Sequence, residues 1–121
     1  MKCVILAAGE GVRMRPLTLV TPKPMIRVLG KPILEHIIND LPEKIDHIII
    51  VVGYLGDQVI GYFGDRCARG KIDYVFQAEK KGTFHALSLC KDLLNDEKFL
   101  MLYADDLHGR ENLEKCVNIN E

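Results

Sequence analysis

Three apolar runs constrain this chain more than any other feature, because they are too continuous for a sheet with one face in water. Residues 3–8 (CVILAA), residues 48–52 (IIIVV) and Phe99–Tyr103 (FLMLY) contain no charged side chain. Strands that read this way are covered on both faces, as in parallel sheets flanked by helices. Residues 72–76 (IDYVF) alternate more, which predicts a less buried strand near an edge. Between the runs, Ile33, Leu34, Ile37, Ile38 and Leu41 recur at helical spacing behind Pro32, a residue suited to a first helical turn. Val59, Ile60 and Phe63 predict a short helix, and Ala86, Leu87, Cys90, Leu93 and Leu94 a longer one. Residues 112–117 read as a last short helix. Strands alternating with helices in this order predict right-handed crossovers and a three-layer α/β/α sandwich, Rossmann-like, around a mostly parallel sheet.

The 121 residues suit one domain, with enough chain to bury a core. The 16 basic and 17 acidic residues leave a net charge of −1, without the basic excess of a nucleic-acid-binding surface. No apolar run approaches the ~18 residues that a membrane span requires. The first run meets a glycine and then arginines, so it reads as a strand rather than a secretory signal. The expectation is a soluble, cytoplasmic domain that binds neither nucleic acid nor membrane. Cys3, Cys67, Cys90 and Cys116 are scattered, with no C-x-x-C pair and no histidine at zinc-ligand spacing. They read as reduced structural thiols.

The segment after the first run carries the chemistry. It begins Gly9-Glu10-Gly11-Val12-Arg13-Met14-Arg15-Pro16, and the next helix is not expected before about Lys31. Strand-to-helix loops usually take about 2–6 residues, so a segment of roughly twenty is long. A long loop at the carboxyl end of a first strand lies where α/β sheets bind ligands. Gly9 and Gly11 let backbone N–H groups approach anionic oxygens, and Arg13, Arg15 and Lys23 add three cations. Pro16, Pro22 and Pro24 stiffen the segment. The combination describes a polyphosphate cradle. It is not a P-loop, because no Gly-Lys-Ser/Thr occurs. Nor is it a dinucleotide fingerprint, since Met14 stands where a third glycine is needed and Gly53-Tyr54 where an acid should close the second strand.

The string LAAGEGVRMRPLTLVTPKPM at residues 6–25 resembles the signature of sugar-1-phosphate nucleotidylyltransferases, the nucleoside-diphosphate-sugar pyrophosphorylases. The family pattern is L-A-A-G-x-G-[TS]-R-[LM]-x-P-x-T followed by P-K-[PA]-[ML], and Val12 is its main departure. The similarity continues at Gly30-Lys31-Pro32-Ile33-Leu34, Val51-Val52-Gly53-Tyr54, Gln77-Ala78-Glu79-Lys80-Lys81-Gly82-Thr83 and Tyr103-Ala104-Asp105-Asp106-Leu107, covering nearly the whole chain.

The resemblance implies an enzyme that joins a nucleoside triphosphate to a sugar 1-phosphate and releases pyrophosphate. Such a reaction needs charge neutralisation and positioning more than a protein nucleophile. By analogy, Leu6, Ala8, Gly9 and Gly11 bind the nucleotide, Gly9 and Gly11 through backbone N–H groups. Arg13 holds the β- and γ-phosphates, and Lys23 stabilises the pentacoordinate phosphorus between the two substrates. Arg15 is either a further contact or an ion pair pinning the loop. Gln77 and Gly82 match the base-recognition positions, and the Gln77 amide suits the edge of a pyrimidine, which favours dTTP or UTP. Gly82-Thr83 also reads as a helix start with Thr83 as N-cap. Asp105 is the implied Mg²⁺ ligand, and Asp106 a helper or cap. Ala104 replaces a family glycine and adds a methyl group near the ribose. His36, His47, His85 and His108 show no triad-like pairing in sequence, and His85 and His108 near the site read as surface or structural histidines.

The resemblance also implies a catalytic domain roughly twice this long, so residues 1–121 are expected to be the N-terminal part of a nucleotidyltransferase domain. On that reading Phe99–Tyr103 is an apolar sheet edge through which the chain forms homo-oligomers. Three readings stand together: a nucleotidyltransferase fragment, a non-catalytic nucleotide-binding module, and a half-domain completed by a partner chain.

Overall fold

The computed structural model describes residues 1–8, 20–67, 69–78, 82–95 and 98–104. Strand β1 (Lys2–Ala7) is followed by a 3-10 turn (Lys23–Met25), by the short strands β2 (Arg27–Val28) and β3 (Lys31–Pro32), and by helix α1 (Ile33–Asn39). Then come β4 (His47–Val52), α2 (Gly56–Phe63), β5 (Arg66–Cys67), β6 (Gly70–Phe76), α3 (Thr83–Leu89), α4 (Lys91–Leu94) and β7 (Phe99–Tyr103). Five strands form one sheet in the order β5-β6-β4-β1-β7. β1 pairs in parallel with β4 and β7, and β4 with β6, while β5 pairs antiparallel with β6. The expected order and parallelism of the four main strands are present.

Why the runs are continuous is visible in the packing. Along β1 successive side chains alternate between faces, and both faces are dry. Cys3, Ile5 and Ala7 join Ile48, Ile50 and Val52 of β4 in a core closed by Ile33, Leu34, Ile37 and Ile38 of α1 and Val59 of α2. Val4 joins Ile49 and Val51 on the opposite face, closed by Ala86, Cys90 and Leu94 from α3, α4 and the residue between them. The sandwich therefore has α1 and α2 on one side and α3 and α4 on the other, the three layers expected from the sequence. β6 is less buried, consistent with a strand flanked on its outer side only by the two-residue β5.

Three details differ from the sequence expectation. The helix read from Ala86 to Leu94 breaks at Cys90, whose amide bonds Leu87 O at 3.0 Å before α4 restarts. Ser88 contributes to the break by turning its hydroxyl onto His85 O at 2.6 Å, a local bond that competes with regular helix. Leu41 lies past the end of α1 yet is fully buried, so its helical spacing continues as packing rather than as helix. The segment before α1 holds a small hairpin, turned at Leu29 and Gly30 with φ of 54° and 83°. Both central residues at positive φ make the turn that matches strand twist. The expected helix at 112–117 lies outside the described residues. Among the described residues, no helix is long and apolar enough to cross a membrane.

Candidate functional site

The sheet places its binding crevice by topology. From β1 the chain runs to β4 and β6 on one side, then crosses back to β7 on the other. Ligands of open α/β sheets bind outside the carboxyl ends of the strands at such a reversal. There Leu6 pairs with both Val51 and Tyr103, and the Ala104 amide continues the ladder to Leu6 O at 3.0 Å. The Gln77 amide extends the other side by bonding Val52 O at 2.8 Å.

A cavity of about 220 Å³ opens at this point, floored by Leu6, Ala7 and Ala8 of the first strand end. Tyr103 and Ala104 wall it from β7, Gln77, Gly82 and Thr83 from β6 and the start of α3, and Lys23 and Pro24 from the 3-10 turn. Leu6, Ala8, Lys23, Gln77 and Gly82, five residues singled out from the sequence, are thus brought together from three separate stretches of chain. Gly9, Gly11, Arg13, Arg15, Asp105 and Asp106 lie outside the described residues, as do His108 and Cys116.

Lys23 is held by its turn. Met25 N–H bonds Pro22 O at 2.9 Å and Ile26 N–H bonds Lys23 O at 3.1 Å, while Met25 and Ile26 pack against the core. Among the described lining residues Lys23 is the one charged group. Among the described residues no cluster of His, Cys, Asp and Glu could hold a metal ion.

Gln77 is the one buried polar side chain among the described residues. Its Nε2 lies 3.4 Å from Gly82 O and 3.2 Å from His85 Nδ1. Gly82 itself precedes α3 with φ 90° and ψ 178°, a conformation essentially reserved to glycine. Gly82, not Thr83, occupies the N-cap position, and Thr83 makes no capping bond. The Thr83 hydroxyl is turned across the cleft to share a 2.9 Å hydrogen bond with the Tyr103 hydroxyl, joining α3 to the end of β7.

Sequence reasoning quoted Gly53 within the resemblance but gave it no role in the site. A Cβ there would stand 3.0 Å from Gln77 O and 3.1 Å from Ala8 Cβ, so a side chain would require these two lining residues to give way by a few tenths of an ångström. The signal available was its position directly after β4. His85, read as a surface or structural histidine, is half-buried against Gln77. His47, unpaired in sequence terms, bonds Asp73 at 2.6 Å across β4 and β6, at the sheet end remote from the cleft. Cys3 and Cys90 are buried free thiols, and burial pushes the Cys3 thiol up to about 12, as befits a core side chain rather than a reactive one.

Comparison with known proteins agrees with this geometry. A family model described as nucleotidyl transferase matches residues 2–120. The bifunctional protein GlmU of Methanocaldococcus jannaschii is 42% identical over 125 aligned residues, covering 100% of this chain and 30% of that protein. The UTP–glucose-1-phosphate uridylyltransferase AglF of Haloferax volcanii is 40% identical over 108 residues, covering 88% of this chain and 44% of that protein. A UDP-glucose pyrophosphorylase solved with UDP-glucose superposes with a TM-score of 0.81 at 26% identity, over 96% of this chain and 52% of that one. The chain thus spans about a quarter to a half of the length of these relatives. On its own motifs, its sheet and the family match together, the chain belongs to the nucleotidyl transferase family, with the fold of the sugar-nucleotide pyrophosphorylases.

Proposed function

We infer that residues 1–121 form the N-terminal, nucleotide-binding part of a nucleotidyltransferase domain, and that the cleft takes UTP or dTTP for transfer to a sugar 1-phosphate. One observation carries the reading: Leu6, Ala8, Lys23, Gln77 and Gly82 line one cavity at the reversal point of the sheet. The relatives named for UTP and UDP-glucose support the choice of a uridine nucleotide.

In this reading Gln77 and Gly82 face the base, and the backbone of Gly9 and Gly11 faces the triphosphate. A sugar phosphate oxygen attacks the α-phosphorus in line, forming one P–O bond as the bond to pyrophosphate breaks. Arg13 and Lys23 meet the charge on the departing pyrophosphate and on the five-coordinate phosphorus. Electrostatic positioning of this kind dominates phosphoryl-type transfer. Magnesium would be held by Asp105, the residue after the cleft-lining Ala104, as one carboxylate beside phosphate oxygens and water. Bound there, the ion neutralises phosphate charge. The outer edge of β7 pairs with a second copy of the chain in the same proposal.

Calorimetric titration with UTP and Mg²⁺ tests the reading. Saturable binding is expected, weakened about tenfold or more in Lys23→Ala and Arg13→Ala, the loss of one charge-assisted contact. Pyrophosphate release on adding glucose 1-phosphate separates an enzyme from a binding module. A chain that binds neither UTP nor dTTP overturns it.

A further inference from the structure

The Gln77 amide is held from two sides, and the two partners together fix which way it faces. Its Nε2 lies 3.4 Å from Gly82 O and 3.2 Å from Nδ1 of His85. A carbonyl oxygen only accepts, so the part of the amide turned to Gly82 is the amino group. Gly82 O can serve this contact while also accepting the Ala86 amide at 3.1 Å, because a carbonyl has two lone pairs. The second amino hydrogen then meets Nδ1, which accepts it only in the tautomer that carries its proton on Nε2. A reversed amide would set Oε1 against Gly82 O, acceptor against acceptor.

The two contacts are unequal. At 3.4 Å the one to Gly82 is longer than an ordinary N–H···O bond and holds the amide weakly by itself. The bond to His85 does the holding. With both amino hydrogens engaged, what Gln77 has left for a ligand is the acceptor Oε1.

We propose that His85 is a positioning residue for base selection: it locks the Gln77 amide so that Oε1 reads the base, and the cleft thereby prefers uracil or thymine to cytosine. Uracil and thymine carry an imino N–H at N3, which donates to Oε1. Cytosine presents a bare acceptor nitrogen at the same place, so its pairing with Oε1 sets two acceptors together. This deepens the reading of the cleft as a nucleotide site and rests on it.

Competitive titration of UTP against CTP, each with Mg²⁺, tests it on the wild-type chain, His85→Phe and His85→Asn. Asparagine places Oδ1 as many bonds from Cα as Nδ1 of histidine, so it keeps the acceptor, while phenylalanine keeps the ring and removes it. The wild type is expected to prefer UTP about tenfold or more, the worth of an unpaired acceptor in a buried site. His85→Phe should bring that ratio close to one by weakening UTP, and His85→Asn should restore most of it. A wild-type ratio in His85→Phe, or no UTP preference in the wild type, overturns the role of His85 and leaves the nucleotide site standing. Failure of the wild type to bind UTP or dTTP overturns both. If His85→Phe does not fold, nitrogen-15 spectra of the wild-type imidazole decide: a proton on Nε2 at mildly alkaline pH agrees with the proposal, and a proton on Nδ1 overturns it.

Discussion

Two glycines of the cleft show how a single residue can be required for different physical reasons. Gly82 has no described atom within 4 Å of the position of a Cβ, so among the described residues its requirement is one of backbone conformation. Gly82→Ala should cost about 1–3 kcal/mol of stability, the price of forcing a side chain into that region, read from urea unfolding midpoints. Gly53 is the reverse case, with no unusual φ but with Gln77 O and Ala8 Cβ so near that a methyl group would make them give way. Gly53→Ala should push Ala8 and Gln77 apart and weaken UTP binding about tenfold, a shift of ~1.4 kcal/mol. Unchanged UTP affinity in that variant would mean that the spacing of these two strand ends does not set the cleft. Motif reading picked out Gln77, Gly82 and Lys23 because their identities and spacing are unusual. It gave no role to Gly53 and read His85 as a surface or structural histidine, because their partners in the cleft are apart from them in sequence and meet them only in the fold.

At the scale of elements, the continuous apolar runs translate directly into strands, because β1 and β4 need apolar side chains on both faces. The same packing makes a titration prediction. Cys3 is fully buried in β1, and loss of hydration pushes its thiol from an ordinary value of 9.0 up to about 12. Between those values the unfolded chain releases this proton and the native chain keeps it, so stability falls as pH rises. Below pH 9.0 both states are protonated and the contribution is complete. Unfolding midpoints taken from about pH 8 to about pH 11 should fall less steeply in Cys3→Val than in the wild type, by up to ~1.4 kcal/mol per pH unit. Equal slopes would show that the thiol does not ionise on unfolding. Helix ends were less legible than strands. The apolar period from Ala86 to Leu94 runs straight through the break at Cys90, because Cys90 and Leu94 pack on the same face whether or not the helix is regular.

At the scale of the whole molecule, the strand order leaves β7 with one neighbour, β1, among the described residues. Phe99 and Tyr103 remain exposed on it, at 36% and 44%. An apolar edge of five residues with no partner strand on its outer side among the described residues is a template for a further strand. Sedimentation velocity on the chain at tens of micromolar should show a dimer or larger species, and Met101→Pro, which removes a donor from that edge strand, should shift it toward monomer. A monomer in the wild type at that concentration would rule out pairing through β7.

From the sequence alone came the strands and the layers, because alternation and apolar continuity are local properties written at short range. It also singled out Leu6, Ala8, Lys23, Gln77 and Gly82, which line one cleft. Tertiary structure decided the rest. Only the strand order brings the ends of β1, β6 and β7 to one crevice. Only the approach of β4 to its neighbours crowds Gly53, and only the docking of α3 sets His85 against Gln77. Those are contacts between residues far apart in space until the sheet forms, and no local pattern records which of them will meet.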